Sequence, residues 1–415
     1  MSVAGQAIAV PTIMPDAPAG SHHSRVHLRA TLLAAAMAGI ALTVGLLYCR
    51  DLERRYIHPI APEFADEKLQ GAALQKEAFR QPDLLVMYGS SELAKEMPNN
   101  AVQFFQDYPT GFRVFPVGKA GATALAILQK LAAVGPELRG RKMIYSISPG
   151  WFFAETFEAK YYEGNFSDMQ ALELVFSSHL SHELKRDIAR RMIEYPTTTD
   201  DTLMLDFASH RLAADGPVDR ALYGLAWPLG KLQSAFDRGQ DHFAAALHIL
   251  EEDEKLNPTT NHGLRALNWN DIVKRAAQFA NAAAVRAKKN EVAKRKTMKD
   301  RSASFRKGLA QAREWTDFAL LLRVCQELGA QPLFLSMPVE DIRLEVYGLD
   351  AAARLSYIDR LKGLTDEYHY PLQLFREYES DPGFLYDFQD HLSAEGWLFY
   401  NKAIDDFFHG RVSSL

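Results

Sequence analysis

The sequence predicts an α/β protein with a doubly wound parallel sheet, a helical insertion and one transmembrane helix before the body. Three observations support this prediction. Strand and helix patterns alternate on both sides of a helical middle segment, and an unbroken apolar run lies near the N-terminus. The length of 415 residues allows one large domain. The formal net charge of −5 does not indicate general nucleic-acid binding, and we expect none.

The N-terminal apolar run predicts a membrane anchor. It extends from Ala30 to Cys49 without a charged residue, and about 20 apolar residues suffice to cross the hydrocarbon core as a helix. Tyr48 is too bulky for a signal-peptidase site or for a lipid-modified Cys49. A buried core helix is the remaining alternative.

The chain is therefore expected to have three parts. The charges that flank the apolar run are mixed, so the outward orientation of the body is favoured partly because the rest of the chain has soluble character. The predicted parts are a disordered cytoplasmic tail over 1–27, a transmembrane signal anchor over 28–50 and an extracytoplasmic body over 51–415.

The body contains short apolar runs that end in Gly, Ser or Pro, which is typical of buried parallel strands. Helical patterns separate most of these runs, as in βαβ units. Residues 51–80 are charged and predict a helical stalk that leads to the body. The predicted strands are 84–88, 112–117, 142–147, 332–336 and 372–375, and the predicted helices between them are 124–134, 314–328 and 351–368.

The middle of the chain, about 155–310, has helical periodicity and predicts an insertion within one domain. The tract Arg286–Arg301 is dense in Lys and Arg. It indicates a solvated helix face, with a surface for an anionic partner or for membrane headgroups as the alternative. His179 and His182 have the spacing of metal ligands but lack a Cys or carboxylate partner in register, so no metal site is predicted.

Ser91 is the candidate nucleophile. It follows the first predicted strand of the body, and sites in open α/β sheets gather at the carboxyl ends of strands. A serine needs a base to take its proton and N–H donors to stabilise an oxyanion. Gly118, at the end of the second strand, is a candidate donor. The alternative interpretation of Gly-Ser-Ser at 89–91 is a structural turn of small polar residues without a catalytic role.

His391 is the candidate base. It precedes the last predicted helix, and two carboxylates, Asp387 and Asp390, lie close to it in the sequence. A catalytic imidazole is usually oriented by a carboxylate. Asp387 is the preferred orienting acid and Asp390 is the alternative, because an adjacent residue usually points another way.

Several motifs occur in order along the body. They are Gly-Ser-Ser-Glu at 89–92, Ser-Pro-Gly-Trp-Phe at 148–152, Glu-Trp-Thr-Asp-Phe at 314–318 and Asp-His-Leu-Ser-Ala-Glu-Gly-Trp at 390–397. Together they resemble the DltD family, whose members have the SGNH-hydrolase fold and take part in D-alanylation of cell-envelope polymers. The resemblance covers about residue 84 to the C-terminus together with the anchor.

The resemblance implies Ser91 as nucleophile, His391 as base, and the N–H groups of Ser91 and Gly118 as oxyanion donors. Ser90 occupies the place of the usual acidic residue and is an alternative nucleophile. Two departures matter. The region of the third SGNH block reads Ser-Pro-Gly-Trp at 148–151 and lacks the oxyanion Asn of general SGNH hydrolases. Phe388 stands where the acid is normally found, three residues before the histidine.

The resemblance also implies partners, which are a membrane-bound O-acyltransferase of the DltB type, a D-alanyl carrier protein and an envelope glycan or lipid-linked acceptor such as lipoteichoic acid. No cofactor or metal is implied. The expected activity is D-alanyl transfer through a Ser91 ester. An esterase or thioesterase of the same fold and a non-catalytic scaffold for the D-alanylation machinery are the alternatives.

Overall fold

The structure is a computed structural model that describes residues 20–155, 159–199, 202–252, 264–294 and 300–411. The described chain divides into two compact units, of which the first ends at Tyr48 and the second begins at Cys49. Most of the predicted tail 1–27 lies outside the described residues. The first described helix begins at Gly20.

The first helix, α1 (Gly20–Ile60), contains the predicted anchor. Within it, His27–Ile60 is long and apolar enough to cross a membrane, with a mean hydropathy of 2.1 over its most apolar window. The apolar side chains of this window are exposed, since 6% of the window is buried. A buried core helix would show the opposite, so the exposure favours the anchor.

The strands are β1 (Leu84–Gly89), β2 (Arg113–Gly118), β3 (Lys142–Ile147), β4 (Gln331–Ser336) and β5 (Leu372–Gln373). The further helices are α2 (Asp66–Gln70), α3 (Ala73–Arg80), α4 (Ser91–Ala94), α5 (Ala101–Asp107), α6 (Ala124–Val134), α7 (Ala159–Glu163), α8 (Asp168–Val175), α9 (His182–Met192), α10 (Pro196–Thr199), α11 (Leu203–Ala214), α12 (Pro217–Glu252), α13 (Trp269–Lys274), α14 (Ala282–Lys294), α15 (Ser302–Gln311), α16 (Arg313–Leu328), α17 (Asp341–Tyr347), α18 (Ala351–Glu367) and α19 (Ala394–Phe408). Short 3-10 turns cover Gly135–Leu138, Pro149–Phe152, Ala276–Phe279 and Arg376–Tyr378.

The strands form one parallel sheet in the order β2-β1-β3-β4-β5, which confirms the predicted parallel α/β class. β1 pairs with β2 along its whole length, from Leu84 opposite Arg113 to Gly89 opposite Gly118. β3 pairs with β4 in the same parallel sense. The sheet therefore runs in one direction from β1 to β2 and in the other from β1 to β3, so the winding reverses at β1.

Both faces of the sheet are covered, because alternate residues of β1 enter two different cores. Val86 and Tyr88 pack with residues of α3, α6 and α16 on one face. Leu85 and Met87 pack with residues of α5 and α19 on the other face. The six residues of β1 are all buried. A strand covered on both sides reads as a continuous apolar run, which is why β1 was recognisable in the sequence.

The prediction of a stalk over 51–80 was wrong, although the segment is helical. Leu52, Leu74 and Phe79 are buried in the main core. α3 is fixed from its N-terminus by Asp241 of α12, whose Oδ2 accepts hydrogen bonds from the N–H groups of Ala72 at 2.9 Å and Ala73 at 2.8 Å. Buried residues recur throughout this segment, so it forms one wall of the body.

Helices occupy the segment between β3 and β4, as far as the structure describes it, in agreement with the prediction for 155–310. One part of the basic tract is not a solvated face. Lys288 of α14 is buried, and its Nζ lies 2.6 Å from Glu340 Oε2 and 2.9 Å from the Leu385 carbonyl oxygen. The other oxygen of Glu340 accepts the Leu385 N–H at 3.0 Å. This pair therefore connects α14 to the segment that carries His391.

Candidate active site

Ser91 lies at the point where the sheet reverses its winding. β1 ends at Gly89, and the short helix α4 begins at Ser91 itself. Ser91 is partly exposed, whereas Ser90 before it and Glu92 after it are buried. The fold therefore presents one hydroxyl of this turn to solvent, at the carboxyl end of a central strand.

His391 is held by a compact loop in front of α19. Leu385 and Leu392 form an antiparallel bridge, and the N–H of Tyr386 donates to the carbonyl oxygen of His391 at 2.7 Å. The Ser393 side chain caps α19 by accepting the N–H of Gly396 at 3.0 Å. These bonds fix the loop backbone at both ends, and they leave the buried imidazole facing Ser91.

A chain of hydrogen bonds joins Ser91, His391 and Asp387. His391 Nε2 lies 2.9 Å from Ser91 Oγ, and His391 Nδ1 lies 2.8 Å from Asp387 Oδ2. Burial raises the pKa of Asp387, but hydrogen bonds from His391, Lys95 and the Gln389 N–H outweigh it and hold that pKa well below its usual value. The carboxylate is thus ionised at neutral pH. An ionised carboxylate fixes the imidazole tautomer that leaves Nε2 free to take a proton.

Lys95 is a member of this cluster that the sequence reasoning missed. Its Nζ lies 2.8 Å from Asp387 Oδ2, 3.2 Å from His391 Nδ1 and 4.2 Å from the centre of the Tyr386 ring. A signal was present, because Lys95 follows Ser91 by one helical turn. This spacing alone could not indicate a role for Lys95, because the sequence does not show which acid contacts the histidine.

Asp390, the alternative acid, contacts other groups. Its Oδ2 accepts the Gly150 N–H at 2.8 Å, and its Oδ1 pairs with the buried guanidinium of Arg343. Asp390 also has a positive φ of 61°, in the left-handed region that Asp adopts more readily than most residues. It therefore ties the Ser-Pro-Gly-Trp turn after β3 to the histidine loop, and the contact to the imidazole comes from Asp387.

Ser90, the alternative nucleophile, is placed differently from Ser91. It is buried, and its Oγ has no hydrogen-bond partner in the described part of the chain. Its N–H donates to Glu92 Oε1 at 3.0 Å. Burial raises the pKa of Glu92, and hydrogen bonds from the Ser90 and Glu92 N–H groups oppose that rise. The hydrogen bond from the Ser90 N–H to Glu92 thus stabilises the conformation of the turn.

Gly118 is explained by a close approach of two backbones. A Cβ at this position would lie 2.7 Å from the Gly89 carbonyl oxygen and 3.0 Å from Leu93 Cδ1. The ends of β1 and β2 and the helix α4 can therefore pack together only if residue 118 has no side chain. The packing brings Gly118 beside the turn that carries Ser91, and its expected role as an oxyanion donor stays a prediction.

The family model described as DltD protein matches residues 61–409. The chain is 24% identical to Protein DltD of Bacillus subtilis (strain 168), over 83% of this chain and 88% of the relative. It is 20% identical to Protein DltD of Staphylococcus aureus (strain NCTC 8325 / PS 47), over 82% and 84%. For Protein DltD of Lacticaseibacillus rhamnosus the identity is 21%, over 85% and 83%.

The family match covers most of the chain and confirms the resemblance that the motifs indicated. The chain belongs to the DltD family. The match begins at residue 61, so the apolar helix precedes the matched region.

Proposed function

We propose that this DltD chain is a membrane-anchored serine acyltransferase that takes part in D-alanylation of a cell-envelope polymer. One observation carries the proposal, namely the hydrogen-bonded chain from Ser91 Oγ through His391 to Asp387. A serine within reach of an oriented imidazole is the arrangement that makes a hydroxyl nucleophilic. The fold we propose is the SGNH-hydrolase type, which is supported by a serine after the first strand and a histidine before the last helix.

The first half of the reaction forms a covalent ester. His391 Nε2 takes the proton of Ser91 as Oγ attacks the carbonyl carbon of a D-alanyl group on its donor. The bond from that carbon to the donor atom then breaks, and the protonated His391 returns the proton to the leaving group. The product is D-alanyl-Ser91, and no oxidant, metal or cofactor is consumed.

The second half transfers the acyl group. His391 takes the proton of an acceptor hydroxyl, the acceptor oxygen attacks the ester carbon, and Ser91 leaves with the proton from His391. Asp387 stabilises the imidazolium in both halves. The N–H groups of Ser91 and Gly118 are the proposed oxyanion donors, which is consistent with the position of Ser91 at the start of α4, where helix N–H groups lack an intrahelical acceptor.

The proposed location follows from the apolar helix. We place α1 across the membrane and the body on the extracytoplasmic side, where envelope polymers are found. The partners implied by family membership are a membrane-bound O-acyltransferase of the DltB type and a D-alanyl carrier protein upstream of it. The acceptor is a hydroxyl of an envelope glycan or lipid-linked polymer.

The test of the serine chemistry is covalent labelling of the full chain in detergent with a fluorophosphonate, followed by intact mass and peptide mapping. We expect one adduct, on Ser91, formed at a rate that falls about 10²- to 10⁴-fold in His391→Ala. Ser91→Ala should give no adduct. Labelling of Ser91 that is equally fast without His391 would refute the proposed activation.

A cellular measurement separates transfer from its alternatives. Cells that carry Ser91→Ala in place of the wild-type chain should lose D-alanyl esters from the envelope while the protein stays folded and in the membrane. Unchanged ester content would support the scaffold. Rapid hydrolysis of small esters or thioesters by the purified chain, with no transfer to added acceptors, would support the esterase or thioesterase.

A further inference from the structure

A basic cavity lies in the second compact unit, and neither Ser91 nor His391 lines it. Its volume is about 620 Å³. Walls come from α1, α3 and α12, and the end of α6 with the turn that follows it forms an apolar side. The cations that line the cavity are Arg50, Lys76, Arg80, Lys231 and Arg238.

The carboxylates in the cavity do not balance these cations. Arg80 Nη2 lies 2.8 Å from Glu137 Oε1, and Arg238 pairs with Glu173. Glu137 and Glu173 are the acidic residues that line the cavity. Both are therefore already neutralised by an arginine. The remaining three cations are left over, which gives the cavity a positive potential.

Arg50, Lys76 and Lys231 have no carboxylate within ion-pair distance in the described residues. Lys76 is the informative one, because its side chain is half-buried. Burial lowers its pKa more than Glu173 and Glu137 raise it. A charged group that is buried without a partner is costly, and an anion held in the cavity would offset that cost.

One cation of the cavity, Arg50, adjoins the apolar run in the sequence. Arg50 is exposed and directly follows Cys49, the last residue of the uncharged run. One turn further, Glu53 Oε1 lies 2.7 Å from His242 Nδ1 of α12, and His242 also lines the cavity. A cation at this point of a membrane helix lies at the level of the lipid headgroups.

α12 carries a long apolar stripe that no described residue covers. Its large side chains are between 38% and 76% exposed. Their spacings of three, four and seven residues place them on one face of the helix at 3.6 residues per turn. Lys231 and Arg238 lie on a different face of the same helix. The stripe consists of Leu225, Leu229, Leu232, Phe236, Phe243, Leu247 and Leu250.

We infer that this cavity binds the phosphodiester headgroup of an anionic membrane lipid through Arg50, Lys76 and Lys231. The apolar stripe of α12 then contacts the membrane interface beside it. A helix with an apolar face and a basic face is the kind that lies in a membrane surface. The inference uses the proposed membrane anchor and is independent of the proposed serine chemistry.

Native mass spectrometry of the full chain in detergent tests the inference with phosphatidylglycerol and phosphatidylcholine as probes. We expect phosphatidylglycerol to bind at least about tenfold more tightly than phosphatidylcholine. The triple variant Arg50→Gln/Lys76→Gln/Lys231→Gln should lose this preference. The matched control Lys274→Gln/Lys307→Gln/Lys362→Gln removes three exposed charges outside the cavity and should keep it.

Three results would overturn the inference. The first is equal retention of phosphatidylglycerol by the cavity and control variants, and the second is equal affinity for the two lipids. The third is displacement of the lipid by an equal concentration of inorganic phosphate, which would make free phosphate the ligand. If the triple variant does not fold, Arg50→Gln/Lys231→Gln keeps the half-buried Lys76 and should lose most of the preference. Retention of the preference by that double variant would also count against the inference.

The same samples separate this site from the serine site. Fluorophosphonate labelling of Ser91 should be unchanged in the cavity variants, because Ser91, His391 and Asp387 do not line the cavity. If the wild-type chain is labelled at Ser91 but shows no preference for phosphatidylglycerol, the lipid site is refuted and the serine proposal stands. If it prefers phosphatidylglycerol but is not labelled, the serine proposal is refuted and the lipid site stands.

Discussion

Lys95 Nζ lies 2.8 Å from Asp387 Oδ2, the same oxygen that His391 Nδ1 contacts at 2.8 Å. Two positive or proton-bearing groups therefore converge on one carboxylate oxygen. The hydrogen bond from Lys95 is one of the contacts that lower the pKa of Asp387 and keep its carboxylate ionised.

Lys95→Met should slow fluorophosphonate labelling of Ser91 about tenfold at neutral pH, because Asp387 loses a partner that holds its side chain in place. The pH below which labelling fails should also rise, because the Lys95 hydrogen bond is one of the contacts that lower the pKa of Asp387. Lys95→Arg should restore most of the rate. A pH profile identical to that of the wild type, with only a lower amplitude, would reduce Lys95 to a structural role.

Ser90→Ala should leave labelling of Ser91 within about twofold of the wild-type rate, because the buried Ser90 hydroxyl does not contact His391. Ser91→Ala should abolish labelling. Peptide mapping checks both results on the same digest. An adduct on Ser90 in the Ser91→Ala chain would show that the turn can rearrange to present either hydroxyl.

Asp387→Asn should lose reactivity, whereas Asp390→Asn should lose stability. The first removes the charge behind the imidazole and should reduce labelling roughly 10²- to 10⁴-fold with little loss of stability. The second leaves the buried Arg343 without its carboxylate and should lower the free energy of unfolding by about 3–5 kcal/mol.

The two Asn variants are compared by labelling rate and by chemical unfolding followed with tryptophan fluorescence. All five tryptophans lie after residue 150, so the signal reports on the body. A large loss of stability in Asp387→Asn with normal labelling in the remaining folded fraction would contradict the assignment of the acid.

Glu314→Gln should stabilise the protein increasingly as the pH rises from 5 to 8. Burial raises the pKa of Glu314 to about 8, and the neighbouring Asp317 adds to the rise. Between its unfolded pKa of about 4.3 and the folded value, the unfolded chain releases a proton that the folded chain keeps, so wild-type stability falls with pH in this window. The variant has no proton to release there and still has an oxygen to accept the Ala124 N–H.

The difference in the free energy of unfolding between Glu314→Gln and the wild type should therefore grow by up to roughly 3–5 kcal/mol between pH 5 and pH 8. Chemical unfolding at several pH values measures it. A constant difference across the window would mean that Glu314 ionises in the folded protein as it does in the unfolded chain.

Much of the sheet could be predicted because its strands are buried on both faces. A strand such as β1 then consists of consecutive apolar residues and stands out from its surroundings. The segment 51–80 was misjudged because charged and apolar residues alternate there at helical spacing. Composition alone does not reveal whether the apolar face of such a helix meets a core, as Leu74 and Phe79 do.

Residues of the candidate site could be predicted where they lie at the end of a predicted strand or just before a predicted helix. Ser91 follows a strand and His391 precedes a helix, so both had a recognisable place. Lys95 and Arg343 had none. Their roles depend on contacts with residues about 300 and 47 positions away, respectively, and no local pattern encodes which side chains meet across such distances.

Ser91 and His391 are separated by 300 positions in the sequence. Under the proposed serine chemistry, Ser91 gains its base only when the first strand and the loop before α19 have been brought together. A chain in which that contact has not formed carries an inert serine, so folding itself sets when the acyl chemistry can begin.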